Sequence, residues 1–194
     1  MTNVEVKKIM EESGISAEDI KKFQNKFDAE KITETVNNAS SASEAFNALN
    51  KLYPELKVEN LKKQCDYMMD QTLAALEEAK TKGPTELSQE ELENVAGGGF
   101  FSDVGNWFKN NWKTILVGAA VLVACAAVVA LTMGAGGALI GGVGAVIYGT
   151  DTFLAGAAFG ASIGASVGAC LGTMSGVIAD IAGAPKGLVE KYWS

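Results

Sequence analysis

The chain has 194 residues and a net charge of -7, with 16 Lys, 23 Asp or Glu, no Arg and no His. Without Arg, bidentate recognition of phosphates and bases is poorly served; without His, the usual general base and the commonest metal ligand are missing. Neither a nucleic-acid partner, nor a metal or other cofactor, nor an enzymatic activity is expected.

From the N-terminus, residues 5–13 and 16–36 read as helices. Ser16 is an N-cap because Asp19 follows three positions later, and Ile20, Phe23 and Phe27 form a stripe at helical spacing. No apolar segment of signal-peptide type lies between Met1 and Lys31, so export is expected to use another route. Asn37 to Ser43 is polar and suits a turn, followed by a short helix carrying Phe46, Leu49 and Leu52. Pro54 interrupts or starts an element. From Val58 to Lys80, Leu61, Cys65, Met68, Met69, Leu73 and Leu76 recur at steps of three and four, giving one apolar face. Two partners suit that face: the 20–27 stripe with Phe46, closing a small bundle, or the groove of a modifying enzyme or transporter.

Thr81 to Thr85, with Gly83-Pro84, is a linker. It leads to Leu87-Ser88-Gln89-Glu90-Glu91-Leu92-Glu93-Asn94-Val95-Ala96-Gly97-Gly98. Ser88 and Glu91 have the spacing of a capping box, Leu87 sits where a hydrophobic staple would, and Gly97 can take the left-handed cap that ends the helix. Helix punctuation alone would account for this much. At the same point, however, the composition changes abruptly. Residues 1–98 hold 12 Lys and 19 acidic residues, whereas 99–194 hold four of each.

The segment resembles the end of a double-glycine leader peptide of bacteriocins and ribosomally synthesised, modified peptides. That resemblance implies that Leu87, Ser88, Glu91, Leu92 and Val95 are read by the peptidase domain of an ABC exporter. It places the cut after Gly97-Gly98, with Gly99 adding a register ambiguity of one residue. The longer acidic region, including Pro54-Glu55-Leu56, is similar to Nif11-like leaders, which implies docking of a modifying enzyme. A leader of 98 residues is longer than the ordinary bacteriocin pattern.

Beyond Gly99, Phe100, Val104, Trp107, Phe108 and Trp112 can share one face of an amphipathic helix, with Asp103, Asn106, Lys109 and Lys113 turned away. Trp107 and Trp112, with Tyr192 and Trp193 at the C-terminus, suit anchoring at a membrane interface; for the Phe100 to Trp112 face the alternative is core packing in a soluble domain. Thr114 to Met133 supplies 20 uncharged residues, about one hydrocarbon thickness as a helix. Gly134 to Gly137 reads as a turn, and Ala138 to Thr150 as a further short apolar helix. Gly156, Gly160, Gly164, Gly168, Gly172 and Gly176 recur every four residues, the pattern that lets membrane helices approach closely and self-associate. Asp151 suits a loop or a carboxylate buried in an oligomer. Cys65, Cys125 and Cys170 read as small apolar side chains, with a Cys125–Cys170 pairing after export left open.

The expected fold is all-α: an acidic helical leader bundle over 1–98, then an amphipathic helix and two or three glycine-rich hydrophobic helices, hairpin-like, over 99–194. The expected function is that of an antimicrobial, bacteriocin-type precursor. It would be made in the cytoplasm, cut after Gly98 and exported, and its product would insert as a homo-oligomer in the membrane of target bacteria. The rival is an unprocessed glycine-zipper protein resident in a membrane, with a cytoplasmic helical domain.

Overall fold

Short polar side chains at the helix ends set most of the boundaries in the first half. The structure is a computed structural model and describes residues 1–82, 104–129, 133–148 and 187–193. Thr2 and Glu5 form a capping box at the start of α1 (Asn3–Glu12): Glu5 N donates to Thr2 Oγ1 at 3.2 Å, and Thr2 N donates to Glu5 Oε2 at 2.7 Å. The helix therefore starts earlier than the apolar pattern indicates. Gly14, at φ +74°, turns the chain out of α1. Ser16 caps α2 (Ala17–Lys26) as its spacing predicts, its Oγ accepting from Asp19 N at 3.1 Å.

The expected single helix over 16–36 is two. Phe27 is extended, and Asp28 caps α3 (Ala29–Asn38), its Oδ1 accepting from the amides of Glu30 and Lys31. Asp28 does this because its carboxylate competes with the helical backbone for those amides. Asn3 fixes the corner, donating from Nδ2 to Asp28 at 2.9 Å and accepting from Ala29 N at 2.7 Å. These hydrogen bonds, that from Asn3 first, hold the Asp28 carboxyl below its usual range. Phe27 is buried at the break, against Phe23 and Tyr53. Ser41 caps α4 (Ala42–Leu52), and the Pro54 turn leads into α5 (Val58–Lys82).

In the second half, α6 (Val104–Val128) joins the expected amphipathic helix and the first part of the expected span into one element. Nothing in Lys113-Thr114-Ile115 breaks a helix, and the hydrogen-bonded register runs on. Likewise α7 (Met133–Tyr148) passes straight through Gly134 to Gly137, where the sequence reads as a turn. Glycine disfavours an isolated helix by about 1 kcal/mol per residue, but packing against other elements overrides that preference. The last described element is α8 (Leu188–Trp193), entered through Gly187 at φ +98°.

Among the described residues the chain is an all-α bundle with one hydrophobic core that draws on both halves. Helix α6 lies at its centre, packed by α2, α3, α4, α5, α7 and α8. The apolar face of α5 packs chiefly on α6 and secondarily on α8 and α4; the 20–27 stripe is not its principal partner. Helix α1 packs on α7.

Candidate functional site

The residues of α6 change character along its length. In its first turns Val104, Trp107 and Phe108 are buried while Asn106 and Lys109 are exposed, so this stretch is amphipathic as its sequence predicts. From Ile115 to Cys125 every residue is buried. That run is about three turns, so no side of the helix faces water there. At 25 residues, α6 is roughly 37 Å long, against a hydrocarbon thickness of about 30 Å. It is long and apolar enough to cross a membrane. A helix that is apolar all round belongs either in lipid or in the middle of a protein, and here the helices of residues 1–82 supply most of the surroundings.

Glycines fit the C-terminal half into this sheath. A Cβ on Gly142 of α7 would meet Ile9 Cγ2 of α1 at 2.6 Å, so the missing side chain is what lets α1 lie on α7. A Cβ on Gly118 of α6 would collide with the Ile147 side chain of α7 and sit 3.3 Å from Val143. On Gly105 it would touch the Tyr192 ring at 3.0 Å. Each is a hole that a knob from another helix fills.

Polar groups then cap across the two halves in both directions. Asp66 of α5 is buried, yet its Oδ1 accepts from Val189 N at 2.7 Å and its Oδ2 from Gly187 N at 3.4 Å, satisfying the start of α8. Burial pushes the Asp66 carboxyl above its usual range, an effect that these amides oppose and that nearby Glu190 reinforces. In the opposite sense, Lys113 Nζ of α6 donates to Asn37 O at 2.7 Å, placing a cation on the carbonyl end of α3. Lys62 of α5 pairs with Glu190 of α8 at 2.9 Å and thereby lowers the Glu190 carboxyl.

The four aromatic residues expected at a membrane interface pack on protein groups in this structure. Trp107 is buried and edge-on to Phe108; Tyr192 packs on Phe108; Trp193 stacks on Phe46 and lies beside Trp112. Cys65 and Cys125 are buried free thiols. Burial, with the Asp66 charge adding to it, pushes the Cys65 thiol well up, so it is a poor nucleophile. No group of His, Cys, Asp or Glu that could hold a metal occurs among the described residues.

The expected processing segment (Leu87, Ser88, Glu91, Leu92, Val95, Gly97, Gly98 and Gly99), the glycine series from Gly156 to Gly176, Asp151, and the Cys170 side of the Cys125–Cys170 pairing all lie outside the described residues. What sequence reasoning missed is the set of residues joining the halves: Ile9, Lys62, Asp66, Gly105, Lys113, Gly118 and Gly142. Asp66 carried one usable signal, a carboxylate set directly beside Cys65, Tyr67, Met68 and Met69. The glycines of α6 and α7 carried none, since a hole shows only against the knob that fills it. No protein-family model, curated protein or solved structure matches the chain.

Proposed function

We propose that this chain delivers an apolar helical segment to a lipid bilayer and carries with it the acidic bundle that covers the segment beforehand. The observation that carries this reading is α6, which has the length and composition of a membrane span and is enclosed by the chain's own helices over Ile115 to Cys125. In its simplest form the protein is resident in a membrane and uncut, with the helices of residues 1–82 as a domain on the cytoplasmic side. The length and composition of α6 support that form, which requires the covering helices to part from α6 over Ile115 to Cys125.

A second form is favoured by the Leu87 to Gly98 segment and by the charge boundary beside it. In it the chain is a bacteriocin-type precursor. A peptidase-containing ABC exporter removes residues 1–98 and secretes the remainder. The Gly156 to Gly176 series then lets the glycine-rich helices associate as hairpins in the membrane of a target bacterium. Trp107, Phe108, Trp112, Tyr192 and Trp193 would exchange their protein contacts for the lipid interface on insertion.

Intact mass with N-terminal sequencing, run on both the culture medium and the membrane fraction of producing cells, separates the two forms. A secreted species beginning at Gly99 supports the precursor; full-length chain in the membrane fraction alone supports the resident protein. Full-length chain that stays in the soluble fraction and does not bind vesicles removes both.

A further inference from the structure

We infer that residues 1–82 are a dissociable holding partner for the C-terminal half: they stay bound to it when the intervening link is cut, and a lipid bilayer displaces them. The inference rests on the reading that α6 ends in lipid, and it adds what holds the helix until then and what removes the holder.

Among the described residues, the contacts that join the halves are spread over α1 to α5 on one side and α6, α7 and α8 on the other. Helix α1 is seated on α7 by Ile9 against Gly142. Helix α3 receives Lys113 on the Asn37 carbonyl, and α5 holds α8 through Asp66 and Lys62. Phe46 of α4 stacks on Trp193. Between these attachments lies the buried surface of α6, whose exposure to water opposes separation. Cutting the chain between Lys82 and Val104 leaves each of these named contacts in place and adds the entropy of two free ends.

Lipid changes the balance because it offers the same apolar surroundings to α6 without requiring the bundle. The two halves then differ in where they belong. Residues 1–98 carry the whole net charge of -7 while 99–194 are neutral, so an anionic surface repels the first and admits the second. The occupants of the surface formed by α1 to α5 are therefore the chain's own helices α6, α7 and α8, and the competitor is a bilayer.

The test uses the full chain with a site-specific protease sequence replacing residues 94–99. After cutting, the sample is passed over a sizing column in buffer and again with vesicles of phosphatidylethanolamine and phosphatidylglycerol. The expected result is one species in buffer, and with vesicles a bound C-terminal fragment and a free acidic fragment. Separation of the fragments in buffer overturns the holding role. Fragments that remain together on vesicles overturn displacement by lipid. Binding of neither cut nor uncut chain to vesicles is a different outcome, since it removes the underlying membrane reading.

A second variant keeps the inference testable if the inserted sequence disturbs folding. A Cβ on Gly142 lies 3.7 Å from Ile9 Cβ, within the roughly 3.5–4.5 Å of a disulfide. In a chain with Cys65, Cys125 and Cys170 replaced by Ala, the pair Ile9→Cys and Gly142→Cys should oxidise readily. It should then lose vesicle binding and regain it on reduction. Oxidised protein that binds vesicles as well as reduced protein overturns the need for α1 to leave.

Discussion

The carboxylate of Asp66 takes the amide of Val189 at 2.7 Å across 123 positions of chain, joining the longest helix of the acidic half to the last helix of the other. Asp66→Ala leaves that buried amide without its acceptor, a loss of about 1–3 kcal/mol. The expected readout is a red shift of tryptophan emission as α8 leaves and Trp193 loses Phe46, together with a lower melting temperature.

Asp66→Asn should behave differently, because an amide oxygen can still accept from Val189. The folded Asp66 carboxyl is raised by burial, so its contribution to stability is complete below the ordinary aspartate value of about 3.9 and is lost as pH rises through the raised folded value. At pH 7 Asp66→Asn is expected to match or exceed the parent in urea denaturation, and the difference should vanish in acid. Glu190 titrates in the opposite sense. Lys62 lowers its carboxyl, so its contribution is present above the ordinary glutamate value and lost as pH falls. Lys62→Met should flatten that acid limb and leave the Asp66 limb in place.

At the seat of α1 on α7, Gly142→Ala places a methyl group against Ile9 and should cost about 1–3 kcal/mol through overpacking. Ile9→Ala alone leaves a cavity and should cost about 2–5 kcal/mol. Combined, the two changes fit each other. The double variant is expected to be more stable than the sum of the single losses, as measured by a double-mutant cycle. Strict additivity would show that Ile9 and Gly142 are not in contact.

Gln64 of α5 is buried, and among the described residues neither its Oε1 nor its Nε2 has a hydrogen-bond partner. Gln64→Leu keeps most of the volume and removes both unsatisfied atoms, each of which costs about 1–3 kcal/mol when buried. The variant should melt at a higher temperature than the parent. It should also bind vesicles more slowly, since a firmer sheath opens less often.

The elements were largely legible in the sequence, and their mutual arrangement was not. Ser16 and Asp19 announce a cap because the interaction is local, and the apolar steps from Leu61 to Met69 announce a helix because its period is local too. The break at Asp28 was missed because a capping aspartate and a surface aspartate look alike until Asn3 is seen to hold it. The central place of α6 was missed for a different reason. An uninterrupted apolar run has no face, so it carries no direction that could indicate partners, and lipid and protein satisfy it equally. The seat at Gly142 depends on Ile9, far away in the chain, and no pattern within either segment encodes it.

The order of the halves along the chain has a consequence for synthesis. Helices α1 to α5 are complete by Lys82, whereas α6 is finished only at Val128. At translation speeds of about 5–20 residues per second, the acidic helices are outside the ribosome for some seconds before the apolar one emerges. The receiving surface thus exists before the segment that needs it. A chain written in the opposite order would put the bare helix into water first, during the interval when capture by other hydrophobic surfaces is fastest.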